Sequence, residues 1–237
     1  MVTVKHTITG HEVLQDGRVK PSAILKFMQD AATVDAENLG ADYNAMRKDD
    51  MIFVISKAMV TFKRMPKLND VLEVRTWNGK IQGVSFNRDF VMYVDGEVVA
   101  RATTRWVLVS YTERRILRPD ALKNSVLTNV EEDIGMAPER RIKLPDGATC
   151  KTTKYYPTYT DMDTNGHVNN SRYADYLIDY CSVNPMEKDI KCIEIHFMSE
   201  LKLGEEVEFI AADEEDKAYV IGQKTEGKQA FSAYISY

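Results

Sequence analysis

The spacing of apolar and polar positions along the chain changes between helical and strand-like periods. Residues 23–39 carry apolar side chains on nearly all sides of a helical pattern, which predicts a helix wrapped by other structure. Pro21 fits its first turn and Gly40 the position just past its end. A strand or strand pair is predicted within residues 3–14, and β-rich runs follow the helix at 53–63, 71–78, 84–94 and 98–110. Asp95-Gly96 between the last two runs is a strong hairpin signal.

The second half of the chain repeats this order. Residues 19–22 align with residues 168–171, and a helical pattern follows in both places, at 173–181 in the second copy. Residues 62–68 align with residues 197–203, and each segment ends in a turn before a new β run. Further β runs are predicted at 207–210, 218–224 and 229–237.

A curled antiparallel sheet around a central helix, present twice in one chain, predicts an α+β fold: a tandem double hot-dog forming a pseudo-dimer in one polypeptide. We expect an N-terminal hot-dog at 1–118 and a C-terminal hot-dog at 151–237. A connecting segment at 119–150, partly helical around 120–130, joins them. The sequence does not decide whether the protein is a monomer or a homodimer.

Composition limits the classes of function. The 237 residues are 44% hydrophobic and 28% charged, which is typical of a globular protein with a core. A net charge of −5 gives nucleic-acid binding no electrostatic support. Cys150, Cys181 and Cys192 lack CxxC spacing, which argues against a disulfide framework or zinc site and fits a reduced cytoplasm. We expect no membrane span, since no apolar run approaches the roughly 18 residues required, and no signal peptide, given the strand-like N-terminus.

Candidate chemistry is concentrated at the start of the second copy. Asp163, Asn165 and His167 recur at every second residue, so an extended segment would project all three from one face. Asn170 or Ser171 is expected to cap the helix that follows, whose first amides could receive a developing negative charge. The combination suggests acyl chemistry.

The first copy serves as an internal control, because both copies must satisfy the same fold. It has Leu14, Asp16 and Arg18 where the second copy has the three polar residues, and Met65 where the second copy has Glu200. Polar groups confined to one copy are poorly explained by folding alone, so a single site is expected.

The string Asp163-x-Asn165-x-His167-Val-Asn-Asn resembles the acyl-acyl-carrier-protein thioesterase family, and the chain looks like a bacterial relative of the plant enzymes. Ala102-Thr103-Thr104-x-Trp106, at the end of the first repeat, agrees with this resemblance but would be weak alone. The resemblance covers nearly the whole chain and implies hydrolysis of fatty acyl-acyl carrier protein, which releases free fatty acid and terminates chain elongation.

The resemblance also places a catalytic carboxylate at Glu200. Plant members have a Glu-Cys pair there, whereas this chain has Glu200 followed by Leu201. A cysteine nucleophile is therefore missing, and an activated water is expected instead.

The catalytic set expected from motif and resemblance is Asp163, Asn165, His167 and Glu200. Glu200 and His167 would deprotonate the attacking water, and Asn165 would hold the thioester carbonyl or that water. Asp163 would fix its neighbours or act as the base itself. Each residue also has a plain structural alternative: a turn or cap for Asp163, a turn for Asn165, a structural histidine, and a solvated glutamate. No metal or other cofactor is expected.

An acyl tunnel is expected under the first copy's sheet, and plain core packing is the alternative for its proposed walls. The proposed acyl-binding residues are Ile24, Phe27, Met28 and Ala31.

An acidic acyl carrier protein, the expected partner, needs a basic landing patch. The candidates, for each of which solvated surface charge is the usual alternative, are Lys63, Arg64, Arg101, Arg105, Arg114 and Arg115.

Rival functions are an acyl-CoA thioesterase and a non-catalytic acyl-binding hot-dog protein. A hot-dog hydratase would have a longer Asn-to-His spacing and is disfavoured.

Overall fold

The computed structural model describes residues 1–122, 133–181, 183, 184 and 187–237, and within them ten strands form one antiparallel sheet. The first copy supplies β1 (Val2–Thr7), α1 (Pro21–Asn38), α2 (Tyr43–Lys48), β2 (Met51–Phe62), β3 (Val71–Gln82), β4 (Ser85–Val94) and β5 (Glu97–Ser110). The second supplies β6 (Lys151–Tyr155), α3 (Arg172–Tyr180), β7 (Cys192–Phe197), β8 (Val207–Asp213), β9 (Lys217–Lys224) and β10 (Gln229–Ser236). Short 3-10 turns occupy Gly10–Glu12, Pro119–Ala121 and Tyr159–Asp161.

The order of the strands shows the internal duplication. It runs β1-β3-β4-β5-β2 through the first copy and β7-β10-β9-β8-β6 through the second, so β2 and β7 join two five-stranded halves. α1 and α3 contact each other and share one core with the helix-facing side of both halves. The predicted tandem hot-dog is confirmed.

Two equivalent turns fix the register of the repeat. In the first copy the Leu14 amide donates to the Arg18 carbonyl at 2.7 Å, and in the second the Asp163 amide donates to the His167 carbonyl at 2.7 Å. Arg18 bridges to Lys67 as His167 bridges to Lys202. The two copies therefore superimpose residue by residue where the second copy carries its polar set.

The connecting segment lies across the sheet face opposite the helices. Ile142, 2% exposed, packs against Cys192 and Tyr234, and the Glu139 amide donates to Glu194 Oε1 at 2.7 Å. Alternation along β7 explains the placement, because Ile193 and Ile195 point into the helix-side core while Cys192, Glu194 and His196 point the other way.

Several local predictions need correction. The end of the predicted 3–14 strand region is a 3-10 turn at Gly10–Glu12, where Thr9 and Glu12 form a capping box, and the short helix α2 had no prediction. The predicted helix at 120–130 falls mostly outside the described residues. None of the helices in the described ranges is long and apolar enough to cross a membrane.

Candidate active site

Residues 163–167 form a tight turn, so the predicted extended segment is wrong. Gly166, with φ +76°, closes the turn in a conformation that favours glycine. Asp163 Oδ1 accepts hydrogen bonds from the amides of Asn165, at 2.8 Å, and His167, at 3.1 Å. One Asp163 carboxylate oxygen is thus committed to holding the turn that carries the other two residues.

The structure brings His167 and Glu200 together. His167 Nε2 lies 2.9 Å from Glu200 Oε2, and the backbone bridge between His167 and Lys202 sets this approach. The imidazole is 20% exposed and the carboxylate 48% exposed, so the pair is at the surface yet partly shielded. The equivalent positions of the first copy hold Arg18, ion-paired with Asp16, and the buried Met65. A histidine–carboxylate pair therefore occurs at one of the two equivalent turns.

The N-terminal half contributes two contacts to this site. The Tyr43 hydroxyl of α2 donates to Asn165 Oδ1 at 3.0 Å, and Arg114 Nη1 lies 3.9 Å from Glu200 Oε1. The first contact leaves the Asn165 amide hydrogens to donate elsewhere. Sequence reasoning missed the role of both residues, since Tyr43 is outside the motif and Arg114 was considered only for carrier docking.

We expect Tyr43→Phe to lower kcat two- to tenfold with KM nearly unchanged. The ring remains, and the lost hydrogen bond that orients Asn165 is worth about 0.5–1.5 kcal/mol. Steady-state hydrolysis of an acyl-carrier substrate measures the effect. Tyr159→Phe, whose side chain is exposed, is the matched control. If Tyr43→Phe lowers kcat equally in an Asn165→Ala background, the two residues do not act together.

Ser171, one of the two predicted N-cap residues, is the N-cap of α3, but its side chain does not accept the predicted hydrogen bond from a backbone amide. Asn169 Oδ1 accepts from the Ser171 amide at 3.0 Å and from the Ser171 hydroxyl at 2.9 Å, while the Arg172 amide donates to the Asn169 carbonyl. The Asn169 side chain therefore accepts the amide hydrogen bond expected of Asn170 or Ser171. The amides of Ser171 and Arg172 are engaged within this helix start.

Tyr173, the next residue of α3, is a core residue. Its ring packs at centroid distances of 5.3 Å from Phe197 and 5.0 Å from Phe231, and burial raises its pKa. A phenol in this state is a poor proton donor or acceptor near neutral pH. Its contribution to the site is to position α3.

Neither Cys181 nor Cys192 is suited to act as a thiolate nucleophile. Leu201, at the position of the plant cysteine, is fully buried. Burial raises the pKa of Cys181 and raises the pKa of Cys192 to about 11. Both thiols are protonated at neutral pH, whereas a cysteine nucleophile requires a thiolate.

An apolar groove of about 230 Å³ lies between α1, α2 and the sheet of the N-terminal half. Its α1 wall consists of Gln29, Ala32, Thr33 and Ala36. A smaller cavity shares Gln29, Ala32 and Trp106 with the groove and extends to Asn170 and Ser171 at the start of α3. The two spaces together connect the N-terminal half to the start of α3, which follows the turn at 163–167.

The predicted acyl-binding residues lie mainly beside this groove rather than along it. Met28 lines the smaller cavity, but Ile24, Phe27 and Ala31 lie in the helix-side core. The groove borders the adjacent face of α1 because that face is turned toward α2 and β2. Plain core packing, the alternative weighed for these residues, describes those three.

The fold and the site define a tandem hot-dog protein with a histidine–carboxylate pair at one of two equivalent turns. Residues 2–122 match the family model of the acyl-ACP thioesterase N-terminal domain, and residues 146–235 match that of the C-terminal domain. The chain therefore belongs to the acyl-ACP thioesterase family.

Individual relatives agree with this membership. An oleoyl-acyl carrier protein thioesterase of Arabidopsis thaliana is 24% identical over 95% of this chain and 67% of its own length. A palmitoyl-acyl carrier protein thioesterase of Cuphea hookeriana is 25% identical over 78% of this chain and 48% of its own. The chain thus spans about half the length of the first curated relatives it matches.

Solved structures show the same fold. An acyl-ACP thioesterase from Bacteroides thetaiotaomicron superimposes with a TM-score of 0.88 at 21% identity, covering 99% of this chain and 96% of that one. The 12:0-ACP thioesterase from Umbellularia californica gives a TM-score of 0.85 at 21% identity, with the same coverage.

Proposed function

We propose that this protein hydrolyses the thioester of a fatty acyl group carried on acyl carrier protein, releasing free fatty acid. The observation that carries the proposal is the His167–Glu200 pair, 2.9 Å apart, beside a helix start that lines the smaller cavity next to the apolar groove. Family membership narrows the reaction to thioester hydrolysis, and the names of the relatives support the carrier-protein substrate.

In the proposed mechanism, a water molecule lies against the His167–Glu200 pair. The imidazole takes a proton from this water as its oxygen attacks the thioester carbon, and the Glu200 carboxylate stabilises the imidazolium that forms. The carbon–sulfur bond then breaks, and the sulfur leaves as a thiolate that takes the proton from the imidazolium. The products are a carboxylic acid and the free thiol of the carrier.

Asn165 is assigned the role of donating hydrogen bonds to the carbonyl oxygen of the thioester. Tyr43 occupies its Oδ1, so the amide hydrogens can donate to the oxygen as negative charge develops there. Asp163 is assigned a positioning role, since its Oδ1 holds two amides of the turn. The sequence left open whether Asp163, His167 or Glu200 is the general base. The geometry favours His167 as the base, with Glu200 as its carboxylate partner and Asp163 as a positioning residue.

The acyl chain is placed in the groove and the smaller cavity. Ala32 and Trp106 border both spaces, so a chain whose thioester lies near Ser171 would pass between them. Gln29, Thr33 and Asn78 give the groove polar groups among its apolar walls.

A cytoplasmic location belongs to the same proposal. It is supported by the free state of Cys150, Cys181 and Cys192. An active monomer and a homodimer both fit, since one chain holds both copies of the hot-dog.

The substrate is tested by comparing acyl-carrier protein and acyl-CoA of matched chain length. We expect kcat/KM to be at least tenfold higher for the carrier-protein substrate, because a protein carrier adds contacts that CoA lacks. Released fatty acid is the measurement. Equal or faster hydrolysis of acyl-CoA would contradict the substrate assignment, and no release from either would indicate an acyl-binding protein. A series of acyl-carrier substrates from short to long then defines chain-length preference.

A further inference from the structure

A second large cavity, of about 630 Å³, opens on the sheet face opposite the helices, where the two halves join. Five of its nine lining residues are basic, namely Lys57, Arg140, Arg141, Lys143 and His196. Among the described residues no Asp or Glu lines it, although the whole chain carries a net charge of −5. We call this cavity the basic groove.

Three cations of the basic groove, Arg140, Arg141 and Lys143, are available to an external anion, whereas His196 Nε2 already lies 2.6 Å from the buried Glu194 Oε1. The Lys57 ammonium donates to the backbone carbonyls of Glu139 and Arg140, which are neutral acceptors. Arg140, Arg141 and Lys143 are exposed, and no carboxylate in the described ranges pairs with any of the three. A cluster of unpaired cations in an acidic protein creates a local field that attracts anions.

The connecting segment holds these arginines in place. The amide of Glu139 is bonded to Glu194 on one side of Arg140 and Arg141, and Ile142 is buried against Cys192 on the other. The two arginines therefore project from a segment fixed at both ends. A site built this way loses little conformational entropy in its backbone when a ligand binds.

The basic groove and the smaller cavity that reaches Ser171 share a lining residue at the sheet. The β2–β7 ladder ends at the pair Lys57 and His196, while β2 continues beyond it to Met51. At this end Phe197 lines both the basic groove on one face and the cavity reaching Ser171 on the other. The end of the ladder is thus bordered by the basic groove and by the proposed acyl path.

Three of the six basic residues that the sequence offers for carrier docking are less suited to an anion. Arg64, Arg114 and Arg115 pair with carboxylates of the chain itself, namely Asp70, Glu200 and Glu113. The basic groove instead uses the charge-dense part of the connecting segment together with β2 and β7.

We propose that the basic groove binds the phosphate of the phosphopantetheine arm that carries the acyl group on acyl carrier protein. This inference rests on the proposed function, because the arm must bring its thioester to His167. A phosphodiester is the anionic group of such an arm, and Arg and Lys side chains bind it through charge-assisted hydrogen bonds. The phosphate would remain at the surface while the rest of the arm passes the end of the β2–β7 ladder.

Two small thioesters that differ only in the phosphate test the inference: acyl-4′-phosphopantetheine and acyl-pantetheine of the same chain length. The test variant is Arg140→Gln/Arg141→Gln. The control is Lys5→Gln/Lys151→Gln, which removes the same charge from the two edge strands. For the wild type we expect a kcat/KM roughly threefold to twentyfold higher with the phosphate, a preference that declines with added salt.

In the test variant we expect this preference to disappear while hydrolysis of acyl-pantetheine is unchanged. The control variant should retain the preference. A wild type that does not distinguish the two thioesters overturns the inference. So does a test variant that loses activity only toward acyl-carrier protein, because the arginines would then contact the carrier's protein surface. If the test variant does not fold, Lys143→Gln replaces it. Loss of the phosphate preference in Lys143→Gln would support the inference, and a loss of activity only toward acyl-carrier protein would overturn it.

Failure of the proposed function gives a different result. If acyl-CoA, which also contains phosphopantetheine, is hydrolysed as fast as acyl-carrier protein, the substrate assignment fails. The phosphate preference and its loss in the test variant would still be measurable and would still support the basic groove.

Discussion

Replacing His167 with alanine is expected to lower kcat about 10²- to 10⁴-fold, with a loss of similar size for Glu200→Gln. Removal of a general base typically has an effect of this size. The two side chains form one unit at 2.9 Å, so the double variant should be little slower than the slower single variant. Steady-state release of fatty acid from an acyl-carrier substrate measures all three.

Stability should change little in these variants, since Glu200 is half exposed and His167 lies at the surface of the turn. Glu226→Gln, at an exposed β9–β10 turn, is the matched control and should keep full activity. A turnover within about threefold of the wild type for either His167→Ala or Glu200→Gln would refute the roles assigned to the pair. Equal melting temperatures for wild type and variants would show that a loss of activity has a catalytic origin.

Substitution of Asp163 distinguishes a positioning role for its carboxylate from a role as the general base. If its carboxylate only holds the amides of Asn165 and His167, Asp163→Asn should retain more activity than His167→Ala, because an amide oxygen can accept the same two bonds.

The long-range architecture was accessible from the sequence because each half repeats a local pattern. Pro21 and Gly40 delimit α1 to within two residues of its observed bounds, and Asp95-Gly96 marks the β4–β5 hairpin. The alignment of the two copies put His167 opposite Arg18 and Glu200 opposite Met65, and both pairs lie at equivalent backbone positions. A duplicated sequence thus provides a register that a single copy would lack.

The details of the site were not accessible in the same way. Period-two spacing of Asp163, Asn165 and His167 suggested a strand, although Asn165-Gly166 is a turn signal and the backbone follows it. The contact from Tyr43 to Asn165 joins residues 122 positions apart and has no local signature.

The apolar groove shows a related limit of periodicity. The prediction that α1 is wrapped on nearly all sides is wrong, because Lys26, Asp30 and Thr33 are exposed, and the pattern of its apolar residues did not indicate which face borders a cavity and which is packed. Only the positions of α2 and β2 decide that Ala32 lines the groove while Ala31 is buried.

Asp35→Ala is expected to destabilise the protein by about 3–5 kcal/mol, because it leaves the buried guanidinium of Arg88 without its counter-charge. Asp35 Oδ2 lies 2.8 Å from Arg88 Nη1, and the two side chains are 2% and 9% exposed. The same carboxylate also pairs with the N-terminal amine of Met1, at 3.1 Å. Removal of this carboxylate therefore leaves the guanidinium of Arg88 unpaired at a position that water reaches poorly.

The midpoint and slope of urea unfolding measure this loss. Asp30→Ala, at an exposed position of the same helix, is the control and should change stability by less than about 0.5 kcal/mol. Asp35→Leu/Arg88→Met should recover most of the loss, since a buried pair replaced by apolar side chains leaves no uncompensated charge. A loss below about 1 kcal/mol for Asp35→Ala would show that Arg88 is solvated or has another partner.

Arg88 also lines the apolar groove and donates to Asn78 Oδ1 at 2.6 Å. The double variant should therefore regain stability while the polar end of the groove, and with it the preference among acyl chains, is changed.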